Sequence, residues 1–138
     1  MVSDTTSNTP IDHATRVALI LPRLALDDGC DALLFTDLVD VRWLTGFTGS
    51  NGWAVVRRDE VIVGTDGRYG ERARAETSST GATVYAETTR RGLHERLVTS
   101  LAGAKRVGLD PSTTSQAEWT RLAVDVSLEP TQSLVGLQ

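Results

Sequence analysis

Apolar and polar positions alternate along this chain in runs short enough to separate helices from strands. Between Ile11 and Asp28 the apolar residues Val17, Ile20, Leu21 and Leu24 recur at helical spacing, and Asp12 stands where an N-terminal cap would. Pro22 interrupts this run, so the spacing predicts either a kinked helix or a second helix opening at Pro22. Gly29 supplies the stop. Ala32-Leu33-Leu34-Phe35-Thr36 is a continuous apolar run bounded by turn residues, the pattern of a central strand buried on both faces. A short helix is expected from Val41 and Leu44 up to Gly46. Trp53–Val56 and Val61–Val63 flank the polar stretch Arg57-Arg58-Asp59-Glu60 and predict an antiparallel hairpin.

The second half repeats the alternation. A helix is expected over Tyr69–Glu76, a strand over Ala82–Ala86, and an amphipathic helix over Leu93–Leu101 that presents Leu93, Leu97, Val98 and Leu101 on one side. Val107-Gly108-Leu109 reads as a strand ended by Asp110-Pro111. Thr113 with Gln116, or Ser115 with Glu118, offers a capping box for a helix carrying Trp119 and Leu122. A last strand is expected over Val126–Leu128. Strands alternating with helices, plus one hairpin, predict an α/β domain: a three-layer mixed sheet with helices on both faces. Residues 1–10 are polar and read as a mobile tail, leaving 11–135 as the domain.

Between the short helix and the hairpin, Gly46, Gly49 and Gly52 recur every third residue. Such spacing marks backbone at positive φ or in close contact with a neighbour. A phosphate-binding loop is the obvious comparison, but that loop runs from a strand into a helix and closes on Lys and Ser or Thr. Here no Lys follows, and Trp53-Ala54-Val55-Val56 reads as a strand.

Two motifs at a fixed separation, Val41-Arg42-Trp43-Leu44-Thr45-Gly46-Phe47-Thr48-Gly49-Ser50-Asn51-Gly52 and, after the hairpin, Thr65-Asp66-Gly67-Arg68-Tyr69, closely resemble the N-terminal domain of the creatinase, prolidase and Xaa-Pro aminopeptidase family. The stretch Gly29–Leu34 extends the resemblance, which covers roughly residues 11–135. It implies a ribonuclease-H-like fold. It also implies a noncatalytic role, because catalysis in that family belongs to a C-terminal "pita-bread" domain that is absent from this chain. The N-terminal domain would help wall the substrate pocket and take part in a homodimer or larger homo-oligomer. Phe47, Asn51 and Arg68 are the wall candidates, with Phe47 expected to be exposed at a loop tip. Gly46, Gly49, Gly52, Asp66 and Gly67 are expected to be structural. In the first reading Asp66 caps a helix while Arg68 pins the glycine loop; direct ligand contact by Arg68 is the second. Trp43 is expected to face the core.

Composition narrows the alternatives. With 14 basic against 18 acidic residues and a net charge of −4, the chain has no general attraction for nucleic acid or anionic lipid. No membrane span or signal peptide is evident, and a cytoplasmic location is expected. Single Cys30 reads as a buried small hydrophobe. The two histidines, His13 and His94, lack a carboxylate cluster at ligand spacing and read as surface residues, so no catalytic residue, metal site or cofactor is expected in this chain. In the resembling peptidases two divalent ions about 3.5 to 4 Å apart would sit in the catalytic domain. Asp37, Asp66 and Asp110 follow predicted strands and could suggest a metal-dependent nuclease, but Asp after a strand caps helices for reasons of backbone bonding alone. A free-standing binding module of the same fold is the nearer alternative.

Overall fold

The structure is a computed structural model that describes residues 13–25 and 30–131. The expected N-terminal tail, the Asp12 cap and the Gly29 stop lie outside the described residues. Helix α1 (His13–Ala25) runs through Pro22 as one helix. Strand β1 (Ala32–Phe35) leads to α2 (Leu38–Thr45), then to the hairpin β2 (Gly52–Arg57) and β3 (Glu60–Asp66). A turn of 3-10 helix (Gly67–Tyr69) feeds α3 (Gly70–Glu76), followed by β4 (Thr83–Glu87) and α4 (Arg90–Ser100). Strand β5 (Val107–Leu109), α5 (Gln116–Ala123) and β6 (Leu128–Pro130) complete the described order.

The strands form one six-stranded mixed sheet in the order β4-β3-β2-β1-β5-β6. β1 is interior and every one of its residues is buried, which explains its unbroken apolar sequence. It pairs antiparallel with β2 and parallel with β5. The hairpin turns through Arg58 and Asp59, with Arg57 opposite Glu60. β3–β4 and β5–β6 are parallel. β6 starts later than the sequence pattern predicts and contains Pro130, which is tolerated because β6 lies at the sheet edge.

Side-chain alternation divides the core in two. Leu33, Phe35, Ala54, Val56 and Val63 face α1, α2 and α3 through Ile20, Val41, Leu44 and Ala73. On the other face Leu34, Trp53, Val55 and Ile62 meet Leu93 and Leu97 of α4 and Leu122 of α5. These are the three layers expected. Cys30 is buried within the first cluster, as its sequence context predicts. Trp43 is half-buried at that core's margin, not inside it: the Arg16 guanidinium stacks 5.0 Å from its ring centre. The indole edges the core while its face binds a cation, a dual use that apolarity alone does not reveal.

The register places the C-terminal ends of β1, β3, β4 and β5 on one edge of the sheet, together with the N-terminal end of antiparallel β2. Each of those four strands then enters a helical turn. The glycine loop and the starts of α2, α3 and α4 therefore share one edge, where sites in α/β sheets are commonly built.

Candidate functional site

The glycine loop is shaped around one ring. Gly46 ends α2 at φ 88°, donating its N–H to the Arg42 carbonyl at 2.9 Å. A Cβ there would also lie 2.8 Å from the Glu76 carbonyl oxygen, so conformation and space both require glycine. Phe47 then turns inward. Its ring is 1% exposed and meets Tyr69 edge-on, with centroids 6.1 Å apart. A Cβ at Gly49 would fall 2.1 Å from Phe47 Cζ, so the chain passes directly over the ring. The expectation of an exposed Phe47 is thus corrected. The flanking glycines do not free the ring for an outside partner; they let backbone close over it.

Polar contacts then clamp the loop to β3 and α3. Thr48 donates its N–H to Glu76 Oε1 at 2.8 Å and its hydroxyl to Oε2 at 2.7 Å, while Arg72 Nη2 donates to the Thr48 hydroxyl at 2.6 Å. Burial opposes ionisation of Glu76, but the bonds from Thr48 and Arg72 outweigh it and lower the carboxyl's pKa. The hydroxyls of Ser50 and Tyr69 are 2.8 Å apart. Thr65, fully buried, donates to the Asn51 carbonyl at 2.6 Å.

Asp66, Arg68 and Asn51 come together at the open edge. Asp66 Oδ1 accepts the Arg68 backbone N–H at 3.0 Å, the expected cap, and Arg68 Nε at 3.2 Å. Oδ2 accepts from Arg68 Nη2 at 2.9 Å and from Asn51 Nδ2 at 3.3 Å. The Arg68 side-chain bonds, first among several contacts, hold the Asp66 carboxyl below the usual carboxylate range. Arg68 therefore reaches the loop through Asp66, not directly, and its side chain remains 71% exposed. Gly67 differs from expectation. It is exposed, its φ is not in the left-handed region, and an added Cβ would meet nothing nearer than Thr88 Cγ2 at 3.8 Å. No sequence pattern marks the clamp through Thr48, Glu76 and Arg72: Arg72 and Glu76 have the i,i+4 spacing of a helical pair, but only the fold brings Thr48 to them.

A second polar group lies farther along the same edge. Asp40 is 7% exposed, and burial, then the charges of Asp37 and Asp110, raise its pKa to about 6. Asp66 is engaged separately by Arg68 and Asn51, so Asp37, Asp66 and Asp110 form no common site. Among the described residues no group of three or more His, Cys, Asp or Glu side chains is placed to hold a metal ion. His13 Nδ1 lies 3.1 Å from the Trp43 carbonyl and His94 Nε2 lies 3.2 Å from Asp125 Oδ2; both are half-buried.

A three-layer mixed sheet carrying this glycine loop and an Asp-Gly-Arg-Tyr turn defines a class, and comparison with known proteins gives the same class. The Creatinase/Prolidase N-terminal domain family matches residues 21–136, and the chain belongs to that family. A probable Xaa-Pro aminopeptidase P of Phaeosphaeria nodorum is 36% identical over 92 residues, covering 62% of this chain and 13% of that protein. The crystal structure of the N-terminal domain of the cytoplasmic peptidase PepQ from Mycobacterium tuberculosis superposes with a TM-score of 0.75 at 27% identity, covering 88% of this chain and 96% of that one. An Xaa-Pro dipeptidase from Bacillus anthracis shares the fold with a TM-score of 0.72 at 20% identity; the match covers 89% of this chain and 34% of that protein. The chain thus spans a small part of the peptidases it matches, at the position of an N-terminal domain. No helix among the described residues is long and apolar enough to cross a membrane.

Proposed function

We propose that this chain is the noncatalytic N-terminal domain of an Xaa-Pro aminopeptidase-like or prolidase-like hydrolase. In this reading it shapes the substrate pocket of a C-terminal catalytic domain and makes contacts between copies in a cytoplasmic homodimer or larger assembly. The carrying observation is the Asn51–Asp66–Arg68 group. An exposed ion pair contributes only about 0 to 1 kcal/mol to stability, so folding gives little reason to hold a guanidinium on both oxygens of a carboxylate at the sheet edge. The pairing does fix the orientation of a planar donor. Arg68 can then meet a carbonyl or carboxylate from outside the domain with its remaining N–H groups.

Two divalent ions in the parent's catalytic domain would polarise the scissile carbonyl and activate water. The described residues here are not arranged to hold them, so no chemical step is assigned to this chain. Its contribution is positional: holding the substrate's orientation and excluding solvent. The test compares the chain alone with the full-length parent, each given Mn²⁺ and an Xaa-Pro peptide. Turnover by the parent only is expected. Metal-dependent cleavage by the chain alone, lost when its own carboxylates are replaced, would overturn the reading.

A further inference from the structure

The two edges of the sheet are finished differently. β6 is three residues long and ends in Pro130, which has no N–H to offer a further strand. β4, at the other edge, runs five residues in regular register with β3, from Thr83 opposite Ile62 to Glu87 opposite Asp66. It contains no bulge, no proline and no lysine, the devices that ordinarily keep a further strand from an edge. Its one charged side chain, Glu87, is held by Arg96 Nε at 3.1 Å.

Two observations show that this edge is open among the described residues. Helices lie over both of its faces: Val84 packs against the cluster beneath α3, and Tyr85 against the cluster beneath α4. Yet Thr83 is exposed and Val84–Glu87 are only half-buried, whereas Val61–Thr65 of neighbouring β3 are all buried. With both faces covered, the exposure lies on the side away from β3. The second observation concerns the backbone. Parallel pairing with β3 uses the N–H and C=O of alternate residues, and those in between point outward. Among the described residues, no turn, loop or helix bonds these outward groups.

We propose that the β4 edge pairs with β4 of a second copy of this chain, antiparallel about a two-fold axis at Tyr85, so that one sheet runs through both copies. Residues opposite one another must share a face of the sheet, and the register centred on Tyr85 is the one that overlaps all five residues of each strand. In it Val84 meets Ala86 of the second copy, Tyr85 meets Tyr85, and Glu87 meets Thr83. Apolar and aromatic side chains face their own kind, and no like charges oppose each other. An unrelated extended peptide could use the same backbone groups, but this side-chain match is one the chain makes with itself. The pairing gives a surface to the contacts between copies proposed above, and it rests on that part of the reading.

Sedimentation equilibrium of the 138-residue chain from about 1 µM to about 1 mM should show reversible monomer–dimer association. Over the same range the outward β4 amides should come to exchange with solvent about tenfold more slowly. In a mixture of isotope-labelled and unlabelled chain, the Val84 methyls should give a nuclear Overhauser contact to the Ala86 methyl of the other copy, since directly opposed Cβ atoms lie about 4.5 to 5.5 Å apart. A chain still monomeric at about 1 mM overturns the proposal, whether its outward amides exchange freely or are protected by its own residues. A dimer whose β4 amides exchange as in the monomer also overturns it, while leaving contacts between copies standing on some other surface. A dimer protected at β4 but lacking the Val84–Ala86 contact overturns the two-fold register and with it the proposal. All three readouts use the unmodified chain, and none of these results bears on Arg68.

Discussion

Replacing Phe47 by alanine removes the ring around which the glycine loop is folded. The ring is 1% exposed, belongs to the cluster with Val41, Leu44 and Val63, and lies edge-on to Tyr69. Truncating a phenylalanine in such a site costs about 3 to 5 kcal/mol, from lost burial and from the cavity left behind. With a urea dependence of about 2 kcal/mol per molar, the unfolding midpoint should fall by about 1.5 to 2.5 M. A second variant isolates the mechanism. In Gly49→Ala the new methyl would lie 2.1 Å from Phe47 Cζ and 2.7 Å from Cε1, so ring and loop must separate; overpacking of this kind costs about 1 to 3 kcal/mol. In the double variant the three atoms nearest the added methyl, all in the Phe47 ring, are gone, so the Gly49→Ala penalty should nearly vanish. The resulting coupling should reach about 1 to 3 kcal/mol, as for residues in direct contact. Denaturation of the four proteins provides the cycle. Strict additivity, or a loss below about 1 kcal/mol for Phe47→Ala, would refute the idea that the loop is built on this ring.

Asp40 gives a pH prediction. Its folded pKa of about 6 lies above the ordinary value of 3.8 because of burial and then the charges of Asp37 and Asp110, so between those values the folded state binds the extra proton. Stability from this group is therefore full below about pH 4 and is lost as pH rises past 6, by about 2 to 3 kcal/mol in all. The difference between wild type and Asp40→Asn, measured by urea unfolding from pH 4 to 8, should follow that slope; parallel curves would contradict it. The glycines separate by conformation: Gly46→Ala should cost about 1 to 3 kcal/mol through its positive φ and crowding, whereas Gly67→Ala should stay within about 0.5 kcal/mol, both read from thermal or urea unfolding. Arg68→Ala should change the chain's own stability by less than about 1 kcal/mol, since the Asp66 pair is exposed; a larger loss would assign Arg68 to the fold.

The α/β alternation, the hairpin and the central place of β1 were legible because each rests on local periodicity. Ser115 caps α5 through the Glu118 N–H, one of the two boxes readable in the sequence. Phe47 was misread because a glycine-flanked aromatic looks the same in sequence whether the glycines free it or close over it; only the approach of Gly49 and Gly52 to the ring distinguishes them. Gly67, expected to be structural from its place in the motif, has neither a left-handed backbone nor a close neighbour that would require glycine. The Thr48–Glu76–Arg72 clamp joins residues far apart in the chain, and periodicity carries no information about it.

If Asp66 holds Arg68 for use by a catalytic domain, steady-state kinetics of the full-length parent will register its removal. With Arg68→Ala, kcat/KM for an Xaa-Pro peptide should fall about tenfold or more, as expected when a charge-assisted contact to the substrate is removed. The isolated domain carrying the same change should keep its unfolding midpoint. An unchanged kcat/KM in the parent, or a loss that merely tracks destabilisation of the domain, would contradict the claim.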